Sequence, residues 1–271
     1  MILSCSTLCC TLDAYPHIEE TLAKIKALGF HTIDLAAFEN WQNINPSVLA
    51  QPGETWSSEF LRGIEATGLK VSSFNCGLSI PLNNPQRQDY PQIEREFRAL
   101  VKMADAVGCP NITVQPGNPV EGTALETLLA ITAENVRALA PISQERGITL
   151  SLEGHQGSIL EDPDVAYHFM ESLWPEVGFT YDPSHWTMQD IPLPVTEPLL
   201  DVIYHVHARN ATTDKMQETM AQGKVDFAWL VRALEKHGYS GAVSLEYFSG
   251  FDRDFSETLA LRDVLVSLGV G

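Results

Sequence analysis

Short apolar runs alternate with amphipathic stretches from one end of the chain to the other. Residues 2–6 read as a first strand and 16–28 as a helix. That helix has Pro16 at its start, Glu19 and Glu20 in its first turn, and Gly29 as its stop. Further strands are predicted over 32–36, 69–74, 111–115, 148–153, 177–182, 202–207 and 242–247. Helices are predicted over 57–67, 90–107, 121–146 with an interruption near Pro141, 163–172, 227–237 and 255–268, and a short one inside 191–200. Gly68, Gly108 and Gly147 stand where three of these helices end. Several strands are apolar runs rather than alternating ones, the pattern of a parallel sheet covered by helices.

Eight strand–helix units follow one another without a linker. The expected fold is therefore α/β, a single (β/α)8 barrel domain over 1–271. A doubly wound open sheet is the other arrangement such alternation allows. Residues 4–11, which follow the first strand, contain no glycine and so no dinucleotide-binding loop. A chain of 271 residues can bury a large core without disulfides. Cys5, Cys9, Cys10, Cys76 and Cys109 have no framework spacing and read as reduced thiols.

Charge narrows the partners. A net charge of −18 repels phosphate backbones, and no basic stripe interrupts it, so no nucleic-acid partner is expected. The first residues lack the basic and apolar regions of a signal peptide, and no apolar run has the length of a membrane-spanning helix. The expected location is the cytoplasm, with no membrane partner. A homo-oligomer is compatible with all of this, the loop 40–56 being one candidate contact or cover for a site.

The chemistry sits at the ends of the later strands. The fifth ends Leu152-Glu153-Gly154-His155, and the sixth Tyr181-Asp182-Pro183-Ser184-His185. The seventh ends His205-Val206-His207, and the eighth Leu245-Glu246-Tyr247. In a barrel these ends converge on one face. Carboxylates crowded there repel one another and raise their own pKa values, and a divalent cation relieves the repulsion. Glu153, Asp182, His207 and Glu246 are the expected ligands of one ion, with Mn2+, Zn2+, Co2+ or Mg2+ suited to such a set. Each residue alone also reads as a loop carboxylate, a helix cap or a core histidine. Four such ends on successive strands favour the metal. His205 shares the orientation of His207, one step deeper, and reads as packing or outer support rather than a ligand.

With these motifs, Glu153-x-His155, Asp182-x-x-His185, His205-x-His207 and Leu245-Glu246, the chain resembles the xylose isomerase-like barrel superfamily over essentially its whole length. That superfamily includes sugar isomerases and epimerases, inosose dehydratases, hydroxypyruvate isomerases and apurinic-site endonucleases. Gly223-Lys224-Val225-Asp226-Phe227 resembles its entry into the seventh helix. The resemblance implies the same Glu153/Asp182/His207/Glu246 metal site. It also implies that Glu153 and Glu246 exchange a substrate proton and that His185 contacts substrate oxygens. A sugar or polyol with a carbonyl beside a hydroxyl would then react through a metal-stabilised enediolate, with general acid–base help worth roughly 10²–10⁴ in rate. His155, Asp34, Arg209 and Trp186 are further candidates for substrate contact, and Trp41, Phe74 and Phe248 for packing on a sugar face.

The pattern also departs from the family's. Asp34 stands where a glutamate is common, Thr213 where epimerases place a substrate arginine, and Ile159 where they carry a glutamate. Arg209 is the candidate replacement for that arginine, unless it pairs with an acid. The lysine and two-metal pattern of xylose isomerases proper is not evident. The expected function is a metal-dependent sugar, polyol or keto-sugar isomerase or epimerase. The alternatives are a polyol dehydratase of the inosose dehydratase kind, an endonuclease-like nuclease, and a non-catalytic sugar-binding barrel. The substrate is expected to be neutral rather than phosphorylated, and the loop 208–224 is long enough for a lid.

Overall fold

In a computed structural model that describes residues 1–10, 14–39 and 44–271, eight parallel strands close on themselves in chain order. They are β1 (Ile2–Ser6), β2 (Thr32–Phe38), β3 (Lys70–Gly77), β4 (Asn111–Val114), β5 (Thr149–Glu153), β6 (Val177–Tyr181), β7 (Ile203–Ala208) and β8 (Ala242–Leu245). The barrel shuts where β1 pairs with β8, Ile2 facing Ala242 and Cys5 facing Leu245. An open doubly wound sheet is thereby excluded. The described helices are α1 (Ile18–Ala27), α2 (Pro46–Leu49), α3 (Trp56–Thr67), α4 (Tyr90–Ala106), α5 (Leu125–Gln144), α6 (Pro163–Glu171), α7 (Pro183–Met188), α8 (Phe227–Lys236) and α9 (Ser256–Ser267). Predicted boundaries differ mostly by one to three residues. Pro141 does not interrupt its helix; it lies inside α5, which runs on to Gln144. The stretch predicted to hold a short helix is a 3-10 segment, Leu193–Val202, with Pro198 inside it removing a backbone donor.

The two faces of a strand do different work. In β5, Leu150 and Leu152 are fully buried in the layer between sheet and helices. Its other face, carrying Ser151 and Glu153, points into the barrel. There Ser151 Oγ donates to Asn111 Oδ1 at 2.6 Å, and Thr113 Oγ1 meets Thr180 Oγ1 at 2.7 Å across from β4 to β6. Asn111 Nδ2 donates to Ser73 Oγ and to Thr113 Oγ1. Beneath the ends that bear the site, the barrel is thus filled by small polar side chains that hydrogen-bond largely among themselves, Ser244 Oγ being an exception. A buried polar group costs little only when paired in this way. The strand that reads as an apolar run is therefore an alternating one, with hydroxyls on its inner face.

Candidate functional site

Glu153 is the last residue of β5, His207 the penultimate residue of β7, and Glu246 follows β8 directly. Asp182 follows β6 and opens α7: its Oδ1 accepts from Ser184 N at 2.8 Å while Pro183 starts the helix. One oxygen of Asp182 thus caps a helix, which leaves Oδ2 for the barrel mouth. All four residues are buried.

Their contacts form a connected cluster. Glu153 Oε1 lies 2.7 Å from His207 Nδ1, and Glu246 Oε1 lies 3.5 Å from the same nitrogen. The opposite nitrogen, His207 Nε2, is 2.7 Å from Asp34 Oδ2. Ligand-type atoms of Glu153, His207 and Glu246 lie within 4.8 Å of one another, as do those of Glu153, Asp182 and His185. The two groups share Glu153 and together contain all four expected ligands. A third such group, Asp34, His205 and His207, lies deeper.

Arg209 crosses the mouth of this cluster. Its guanidinium is 2.8 Å from Asp182 Oδ2 and 2.7 Å from Glu246 Oε2, and Nε donates to Ser184 Oγ at 2.9 Å. It lies over the Phe248 ring at 4.9 Å. The arginine that was a candidate for substrate contact therefore pairs with two acids first. Despite the short distance to Arg209, Asp182 Oδ2 is buried without an aligned hydrogen bond.

The electrostatics follow from burial and crowding. Burial and the neighbouring carboxylates push Glu246 up to about 7, against the pull of His207 and Arg209. Burial would also raise Glu153 and Asp182, but the positive charges beside them win: His207 holds Glu153 low, and Arg209 holds Asp182 below its ordinary value. His207 sits well above the usual histidine range, because burial is outweighed by Glu246, Glu153 and the bond to Asp34. With both nitrogens facing carboxylate oxygens, it donates twice. Burial takes His185 down to about 4, so it is neutral. Asp34, Glu153, Asp182 and Glu246 thus face two cationic side chains, Arg209 and His207. Like charges about 4 Å apart repel by roughly 4 kcal/mol at an effective dielectric near 20.

A hollow of about 180 Å³ opens on this cluster. Glu153, Glu246, Arg209, His155 and His185 line it, with Asn75, Gln115, Gln156 and an apolar margin of Leu8, Phe38, Met216 and Phe248. A larger hollow of about 450 Å³ beside Arg87 and Glu134 contains no buried acid or histidine, so the smaller one is where the chemistry converges. His155 Nδ1 contacts Gln156 O at 3.0 Å, which leaves Nε2 as a buried nitrogen without a partner.

Three expectations need correction. Asp34 is not at the hollow; it lies beneath it, fully buried, with Oδ2 2.9 Å from His205 Nε2 and 2.7 Å from His207 Nε2. Trp186, carried by α7, is also fully buried in the hydrophobic core and does not line the hollow. Phe74 points outward to helix α3, edge-on to Phe60 at 5.9 Å. Trp41 lies outside the described residues. Three polar residues at the hollow were missed: Gln156 in the loop after β5 and, nearer strand ends, Asn75 in β3 and Gln115 just after β4. Asn75 Nδ2 donates to Glu246 Oε1 at 2.8 Å. Asn75 and Gln115 are polar residues near strand ends, so the criterion that found the acids would have found them had amides been included. The loop 208–224 is held by Asn210, whose Oδ1 accepts from Val225 N and whose side chain Gly223 approaches so closely that an added Cβ would collide.

The model of the xylose isomerase-like TIM barrel family matches residues 22–263. The chain belongs to this family. Among its relatives, an inosose dehydratase of Glaesserella parasuis serovar 5 is 25% identical over 136 residues, 42% of this chain and 46% of the relative. The chain thus spans about half the length of that curated relative. Solved structures share the fold throughout. A 3-keto-D-glucoside 4-epimerase from E. coli superposes with a TM-score of 0.74 at 19% identity, covering 99% of this chain and 98% of that one. A family member from Mycobacterium smegmatis, solved in complex with magnesium, gives a TM-score of 0.74 at 18% identity over 98% and 95% of the two chains. Among the described residues, no helix is long and apolar enough to cross a membrane.

Proposed function

We propose that this barrel is a divalent-metal-dependent isomerase or epimerase of a neutral sugar, polyol or keto-sugar. The observation that carries the reading is the clustering of Asp182 and His207 around Glu153 and Glu246, the two carboxylates that line one small hollow. The donor set fits a divalent ion: four buried carboxylates face two cationic side chains, and Asp182 Oδ2 lacks a hydrogen bond. Glu153, Asp182, His207 and Glu246 would hold the ion, His207 through Nδ1, the nitrogen that faces both glutamates. When bound, such an ion supplies positive charge that acidifies a C–H beside a carbonyl.

The chain's own groups supply the rest. Glu153 and Glu246 both reach the hollow, so one carboxylate can accept a proton from the substrate carbon while the other carboxyl returns one. Before an ion binds, burial and the neighbouring carboxylates hold Glu246 near 7. Asn75 fixes its Oε1 and Arg209 its Oε2. The unpartnered Nε2 of His155 offers a contact to a substrate hydroxyl, while neutral His185, met by Gln156 N at Nδ1 and by Arg209 Nη2 at Nε2, holds the wall of the hollow. Five free, buried cysteines agree with a reducing compartment such as the cytoplasm. The inosose dehydratase relative supports a second reading, in which the same proton abstraction is followed by loss of a hydroxyl as water.

Incubation with candidate ketoses or inososes in D2O plus manganese, followed by mass spectrometry, tests both. Isomerisation adds deuterium and keeps the carbon skeleton hydrated; dehydration lowers the mass by one water. Glu246→Gln should abolish wash-in. Full wash-in by that variant would refute the role given to Glu246.

A further inference from the structure

A second hollow of about 210 Å³ lies beside the first, between the loops that follow β3 and β4. Gln115 lines both. Leu78, Ile80, Pro119 and Val120 give the second one an apolar margin, and Asn83 a polar wall. The geometry points to a two-unit substrate: a reacting sugar or polyol in the catalytic hollow, joined to a neutral glycosyl unit in the second. This rests on the proposed function and adds the substrate class.

Three observations carry it. The second hollow is preformed. Asn83 Nδ2 donates to Asn118 O at 2.6 Å, Asn135 Nδ2 to Leu82 O at 2.6 Å, and Ile159 N to Gly117 O at 3.0 Å. Gly117 holds φ at +97°, and a Cβ there would lie 2.1 Å from Asn83 Oδ1, so only glycine lets this wall close. The lining is also uncharged among the described residues, with no lysine, arginine or histidine for a phosphate or carboxylate. Amides beside apolar side chains suit instead a sugar ring, which has hydroxyls at its edge and C–H groups on its faces. Finally, 180 Å³ and 210 Å³ are each below the roughly 300–1,000 Å³ of ordinary ligand pockets, and together they fall within that range.

Calorimetry with manganese-loaded protein tests the idea without requiring turnover. The probes are D-glucitol, its 3-, 4- and 6-O-glucosyl derivatives, and D-glucitol 6-phosphate. At least one glucosyl derivative should bind about tenfold tighter than D-glucitol. Val120→Trp should cancel that gain, and the site is 38% exposed, so the indole need not enter the core. Val120→Phe provides a smaller plug if the tryptophan impairs folding. D-glucitol binding with no glucosyl gain, a gain that survives both plugs, or tightest binding of the phosphate overturns the inference and leaves the proposed function standing. Binding of none of the probes overturns the inference as well, and the D2O exchange decides the proposed function separately.

Discussion

Replacing Asp34 with alanine removes the acceptor that orients His207. Asp34 Oδ2 takes hydrogen bonds from His207 Nε2 at 2.7 Å and His205 Nε2 at 2.9 Å, at a position with no solvent exposure. With Nε2–H committed to Asp34, Nδ1 is the nitrogen left for an ion, and it faces Glu153 and Glu246. In the alanine variant the ring loses both its anchor and the charge that raises its basicity. Outer partners of this kind are worth about 10–100-fold in metal affinity, which corresponds to roughly 1.4–2.7 kcal/mol. Asp34→Asn keeps a carbonyl that can accept from the same nitrogens, so its loss should be smaller. The assay is manganese competition against a fluorescent chelator, with thermal melting as a control for folding. The order expected is wild type, then Asp34→Asn, then Asp34→Ala. A folded alanine variant that binds manganese as tightly as wild type would refute the role of Asp34.

Metal affinity should fall as pH drops from about 8 to 6. Glu246, raised to about 7, takes up a proton over that interval, and His207 is already protonated, so the ion must displace protons; affinity independent of pH in the chelator assay contradicts this. Thr113→Val should lower stability by about 1–3 kcal/mol in urea titration, because it leaves Thr180 Oγ1 without its partner in the barrel interior, while Asn111 and Ser73 keep each other. Phe97→Ala empties a fully buried site on α4 and should cost about 3–5 kcal/mol in the same titration. An unchanged midpoint in either variant argues against the packing described.

The barrel was legible because each strand announces itself by its apolar residues, and the last four do so again by the polar residues at their ends. Boundaries shifted where the backbone outran the side-chain signal. β3 continues through Asn75, Cys76 and Gly77, pairing with Ala36–Phe38 of β2, a stretch with no apolar periodicity. α7 was missed because only six residues follow its cap, too few for any helical period. The acids and histidines of the site were legible for the same reason as the strands: position at a strand end carries most of the geometric information in a closed barrel.

What escaped the sequence were relations across it. Asp34 and His207 are 173 residues apart, so nothing local marks the acid as the support of the histidine rather than as a hydroxyl ligand. Arg209 lies two residues beyond His207, yet its partners Asp182 and Glu246 belong to two other strands. Its consequence is energetic. A guanidinium already neutralised by two buried acids must give up those contacts, in part, to any ion that uses the same oxygens, so arginine and ion compete for Asp182 and Glu246. Arg209→Met removes the competing cation and leaves both carboxylates in place. If competition governs the site, that variant binds manganese more tightly than wild type even as its folded state loses stability from uncompensated charge. If Arg209 instead props the carboxylates in position, affinity falls along with stability, and the competition described here is wrong.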